Sequence, residues 1–149
     1  MIRNATRALA LTRRERAHAL RALGWLLVAA AALRLLKYST VRAAFTRVPS
    51  RSVVHEPMTA VECERALERA SRVLPRARCL AQAIAAACLL RRDGRDSTLS
   101  IGVRFGRDQR FHAHAWLEAD SVIITGTGHA EHRVLLRDVL RAASVPQRS

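Results

Sequence analysis

The chain has 149 residues, half of them hydrophobic, with 26 basic and 12 acidic side chains and a net charge of +14. That length bounds it to one domain plus an appended helical segment, with apolar residues enough for a modest core. The charge suggests nucleic acid, but aromatics are only 4% and 25 of the 26 cations are Arg; with so little to stack on bases, and no helix-turn-helix or zinc-finger signature, the excess reads as codon bias rather than phosphate recognition.

The charge is uneven. Residues 1–55 hold 11 basic groups and one acid, Glu15, for a net +10, whereas residues 56–149 hold 15 and 11, for a net +4. The expected organisation is therefore a basic helical segment over 1–55 and a second unit over 56–149. After a polar start, Thr12 followed by Glu15 has the spacing of a capping box. A helical pattern runs from there to about Leu36. Arg21 and Arg34 leave only 12 residues between them, short of the roughly 20 that a membrane span needs. Burial against the rest of the domain, or peripheral contact with a membrane surface through the Arg face, fits this stretch better. Ser39 or Thr40 is placed to cap a short helix around Val41–Phe45. Pro49 and Pro57 bracket a linker.

Thr59 and Glu62 form a second capping box. The helix it opens is expected to reach about Val73, with Val61, Ala66, Leu67, Ala70 and Val73 inward. Pro75 separates it from an Ala/Leu-rich helix that starts near Cys79, runs to about Arg92 and is capped by Gly94. Ala83, Ile84, Ala87, Cys88 and Leu90 are its core side. Thr98–Phe105 and Phe111–Ala119 alternate as strands, and Val122–Thr125 follows a turn at Asp120, predicting a three-stranded antiparallel meander. In the second strand Phe111, Ala113, Ala115 and Leu117 share one face; His112, His114, Trp116 and Glu118 share the other. Val134, Leu135, Val139 and Leu140 suggest a last helix over Arg133–Ala142.

Cys63, Cys79 and Cys88 are odd in number and lack paired or metal-ligand spacing, which argues against a disulfide framework or zinc site and suits a reducing cytosol. Cys79 differs from the other two. It lies in the first turn of a helix, where unpaired N–H groups and the dipole favour a thiolate. Cys63 sits between Glu62 and Glu64, whose charges disfavour one. A thiol on a helix start and a histidine on a strand are what thiol acyl transfer requires, the imidazole serving as base and then acid. Spacing alone leaves the catalytic and packing readings open, and it does not choose between His112 and His114. Gln82, one turn after Cys79, is either a side-chain donor to an oxyanion or a solvated helix residue.

Leu74-Pro75 before Cys79-Leu80, Arg91-Arg92-Asp93-Gly94, Leu99-Ser100-Ile101-Gly102-Val103-Arg104 and Ala113-His114-Ala115-Trp116-Leu117-Glu118 together resemble the lasso peptide biosynthesis B protein. The likeness is to its split form, which carries only a transglutaminase-like peptidase, and spans about Glu62 to Ile124. The resemblance implies an α+β, papain-related fold: a helix bearing Cys79 packed on a small antiparallel sheet bearing His114, with an N-terminal helical extension. It implies a cytoplasmic cysteine peptidase that removes the leader from a ribosomally made precursor, with Cys79 as nucleophile and His114 as base. It implies no cofactor, no metal and no nucleic acid. The implied partners are the precursor leader, a separate leader-recognition protein and an ATP-dependent macrolactam synthetase. The other reading on the same fold is a differently specific acyl transferase or a non-catalytic binding subunit.

The chain departs from this family at the third triad member, an acid on the strand after the histidine. If the hairpin turns at Asp120, the position opposite His114 is 126, which is Gly. Asp120 is roughly 20 Å and Glu118 ~13 Å along the strand from His114, at 3.3 Å per residue. Glu131 could fold back through Gly126 and Gly128, or a carbonyl or threonine could orient the ring.

Overall fold

A computed structural model describes residues 11–50, 56–126 and 129–142. Among the described residues four helices precede four strands: α1 (Arg13–Leu35), α2 (Tyr38–Phe45), α3 (Ala60–Val73), α4 (Cys79–Arg92), β1 (Ser97–Phe105), β2 (Phe111–Ala119), β3 (Val122–Thr125) and β4 (Arg133–Leu140), with a 3-10 turn at His129–Glu131 before β4. The strands form one antiparallel sheet in the order β3-β2-β1-β4. This is the α+β architecture expected from the sequence.

Both capping boxes form. Thr12 accepts from the Glu15 N–H and Thr59 from the Glu62 N–H, while each glutamate accepts from its cap's own N–H. The short second helix begins instead at Tyr38, with Lys37 as a cap that makes no side-chain bond. Gly94 closes α4 at φ +75°. The Gly94 and Arg95 N–H groups donate to the Arg91 and Leu90 carbonyls, the paired bonds of a Schellman motif, which requires a left-handed residue at this position.

Ala22, Leu26 and Ala29 of α1, Cys63, Ala66, Leu67 and Ala70 of α3, and the run Ala83–Leu90 of α4 are buried in one cluster with Leu99, Ala115, Leu117 and Ile124 of the sheet. Cys63 takes the inward position that Val61 and Val73 were expected to hold; both valines are exposed. The spacing 63, 66/67, 70 is the 3.6-residue stripe that faces the neighbouring helices. Thus α1 shares the core of the C-terminal elements, and the expected boundary between residues 55 and 56 falls at the edge of a stretch, 51–55, outside the described residues. By length and composition α1 could cross a membrane. Yet Arg21, which interrupts its apolar run, reaches inward to Asp93 at 2.6 Å.

The last element corrects the sequence reading. Arg133–Leu140 is not a helix but strand β4, antiparallel to β1, so the meander gains a fourth strand on the side away from β3. Strand alternation puts Asp138 and Leu140 inward and Val139 outward; Val134 and Leu135, at the register shift opposite Ile101 and Gly102, are both exposed. Asp138 accepts two 2.6 Å bonds from Arg42 of α2, tying the helical layer to the new edge.

Candidate active site

Cys79 is the first residue of α4. Its cap, Arg78, makes no side-chain hydrogen bond, and the first turn holds no acid. The opening N–H groups are therefore left to face whatever sits at the thiol. The turn before it is held from both sides: the Ala77 N–H donates to Leu74, and Gln82 Nε2 donates to the Ala77 carbonyl at 3.1 Å. Gln82 is thus neither free in solvent nor aimed at a substrate; it braces the loop that presents Cys79. Of the three thiols, Cys63 and Cys88 are buried and burial pushes both up to about 12. Cys79 is half-buried.

The Schellman turn sends the chain back along α4, so β1 runs antiparallel to it. Fourteen helical residues at 1.5 Å cover about the same length as six strand residues at 3.3 Å. Cys79 therefore returns to the level of Gly102 and Val103, and Gly102 is paired with His114. The two candidate residues lie at the same end of the sheet. Ala115 and Leu117 join the core under the helices, and alternation turns His114 to the opposite face, as the sequence reading of β2 had it. Among the described residues no hydrogen bond joins Cys79 and His114.

On that outer face the His114 ring lies 6.2 Å from the Trp116 ring, nearly parallel to it, and 5.2 Å from the His132 ring. A Cβ on Gly102 would meet Trp116 Cη2 and His132 Cβ, each at 3.1 Å, which puts all three side chains on one surface. Gly126 comes close to His114, but not as its register partner: a shift between Leu117 and Glu118 pairs Leu117 with Thr125 and sets residue 126 level with Trp116. Asp120 and Ser121 both have positive φ and form the two-residue connection that suits the strand twist. Gly126 then packs so closely that a Cβ there would sit 2.6 Å from His114 Nε2. That nitrogen is buried with no hydrogen-bond partner among the described residues.

None of the acids weighed for the third role serves it. Glu131 pairs with Arg104 at 2.9 Å, Asp120 with Arg95 at 2.5 Å, and Glu118 is exposed. His112, the other histidine of the strand, binds Asp108 at 3.0 Å on the exposed hairpin end, and that bond holds the Asp108 carboxyl below its usual range. His132, which the sequence places in a Gly-containing loop without a metal-binding pattern, comes to lie beside His114 because the segment after it is strand β4 and not a helix. No cluster of three metal-ligating side chains occurs among the described residues.

Residues 23–137, well over half of the chain, match the transglutaminase-like superfamily. The chain belongs to that superfamily. It includes cysteine peptidases and acyl transferases, chemistries that use a helix-borne thiol and a strand-borne imidazole. The match begins inside α1 and ends in β4, so it takes in the second half of the long first helix as well as most of the sheet. Comparisons with curated proteins and with solved structures return no match.

Proposed function

We propose that this transglutaminase-like protein is the leader peptidase of a split lasso peptide system, acting in the cytoplasm on a ribosomally made precursor. The observation that carries the proposal is the contrast among its thiols: Cys79 alone is half-buried, and it opens a helix whose first turn has no acid. The Cys79 thiolate attacks the scissile carbonyl, and the first-turn N–H groups of α4 receive the oxyanion. The C–N bond breaks, and the leaving amine takes a proton from the His114 imidazolium. Water then attacks the thioester, giving its proton to His114 and releasing the carboxylic acid and the thiolate. This route needs the Cys79 thiol and the His114 imidazole within reach of one scissile bond; catalytic hydrogen bonds commonly tighten only in the Michaelis complex. The partners in this reading are a separate leader-recognition protein and an ATP-dependent macrolactam synthetase.

The outward face of His114 and its unpartnered Nε2 favour a second reading, a binding subunit that kept the fold without the chemistry. Iodoacetamide separates the two. Selective modification of Cys79 at neutral pH, with loss of leader cleavage in Cys79→Ala and His114→Ala but not His112→Ala, supports the peptidase. Equal, slow modification of all three cysteines supports the binding subunit.

A further inference from the structure

A groove of about 710 Å³ runs between the C-terminal half of α1 and residues 74–81, within the size range of ligand pockets, about 300–1,000 Å³. Leu27, Leu36, Leu74 and Leu80 make its apolar surface, and Arg34, Arg76 and Arg78 stand around it. Among the described residues no acidic side chain lines it. Elsewhere Arg14, Arg21, Arg42, Arg69, Arg72, Arg95 and Arg104 each hold a carboxylate. The three groove arginines are exposed and pair with none among the described residues. The groove also reaches the residues on both sides of Cys79, since Arg78 and Leu80 line it.

We infer that this groove seats a segment of the peptide substrate that combines aliphatic side chains with carboxylates, and that it lays that segment beside Cys79. The inference rests on Cys79 being the reacting thiol. Aliphatic side chains would cover the leucines, which are left open to water; carboxylates would neutralise guanidinium groups that the fold leaves unpaired, with bidentate geometry available to each. A membrane surface would also accept arginines and the exposed Leu20, Leu27, Val28 and Leu35 of α1, but the surface here is hollow, whereas a bilayer presents a flat one, and it reaches the residues on both sides of Cys79.

The test uses the full chain and a short fluorescein-labelled peptide rich in leucine and glutamate, with a leucine–lysine peptide as control. The acidic peptide should bind by anisotropy at low salt, and the basic one should not. Reversing charge at Arg34 and Arg76 together should weaken binding about tenfold or more, which corresponds to ~1.4 kcal/mol; both side chains are exposed, so the variant should keep its thermal midpoint. Bound peptide should also slow alkylation of Cys79. No binding of the acidic peptide, or equal binding by the charge-reversed variant, overturns the groove assignment. Binding to phosphatidylglycerol vesicles with none to the peptide overturns it in favour of a membrane surface. Peptide binding that depends on Arg34 and Arg76 but leaves Cys79 alkylation unchanged removes the link to the thiol. If instead Cys79 in the free protein is no more reactive than Cys63 and Cys88, the peptidase reading fails while the groove stands on the anisotropy alone.

Discussion

Two buried polar groups at opposite ends of the fold are treated in opposite ways. Asp93, at the C-terminus of α4, has its side chain 2% exposed; it accepts from Arg21 at 2.6 Å and from the Met58 N–H at 2.9 Å. It joins α1, α4 and the entry to α3. His114, at the other end of the sheet, buries Nε2 against a glycine with no partner among the described residues. A buried donor or acceptor left unpaired costs about 1–3 kcal/mol. The first arrangement is what a fold uses to hold itself together. The second stabilises nothing, and such groups collect at sites kept for chemistry or for a ligand.

The largest expected effect tests the first half of that contrast. Asp93→Ala leaves Arg21 partly buried without its counter-charge and should cost about 3 kcal/mol or more of unfolding free energy, the lower end for a broken buried pair because Arg21 keeps some solvent contact. Denaturant titration measures it, and a loss under about 1 kcal/mol would put Asp93 on the surface in energetic terms. Next comes Gly126→Ala. Its φ of +86° disfavours any side chain, and the added carbon meets Trp116 Cβ at 2.9 Å and the Ala115 carbonyl at 3.0 Å as well as the imidazole, so a loss of about 1–3 kcal/mol is expected. For the same reason Gly126→Asp should not supply the absent acid, and a gain in leader cleavage by that variant would show that the strand can shift.

His114→Ala should change stability by less than about 1 kcal/mol, since the packing it removes is offset by removing an unpaired nitrogen, while leader cleavage is lost. A fall in stability as large as that of Asp93→Ala would make His114 a structural residue. Glu131→Gln should alter cleavage by less than a few-fold, because its carboxylate is on Arg104 at 2.9 Å, whereas loss of a true triad acid costs on the order of 10⁴-fold. The smallest effect is a pH slope from a single proton. Burial lowers the pKa of His18 from 6.5, with Arg14 and Arg21 acting in the same direction against Glu62 and Asp93. Its folded pKa is below its unfolded one, so the unfolded chain binds more protons; the contribution is full above pH ~6.5 and is lost as pH falls below it. Urea midpoints of the native chain and His18→Gln on either side of that pH should diverge in acid for the native chain alone.

Local chemistry was enough to place much of this architecture. Thr12 with Glu15 and Thr59 with Glu62 set two helix starts because a capping box is satisfied within four residues, whatever lies elsewhere. Gly94 set a helix end through its own φ. The β2 alternation and the turn near Asp120 brought residue 126 to the neighbourhood of His114, because a tight turn and the strand rise set the approximate register locally; the shift between Leu117 and Glu118, which puts it level with Trp116, was not legible. The helix start at Cys79 was legible in the same way, from Pro75 and the Ala/Leu run. What sequence could not decide was every pairing made at a distance. Arg133–Leu140 carries apolar residues at spacings that fit a helix or a strand, and it is the open hydrogen-bonding edge of β1 that makes it β4. Whether Glu131 met His114 or Arg104 depended on that same strand. The face of the sheet on which the helices pack, and hence the side to which His114 turns, is set by which apolar surfaces bury the most area together, a property of the assembled layers that no single segment contains.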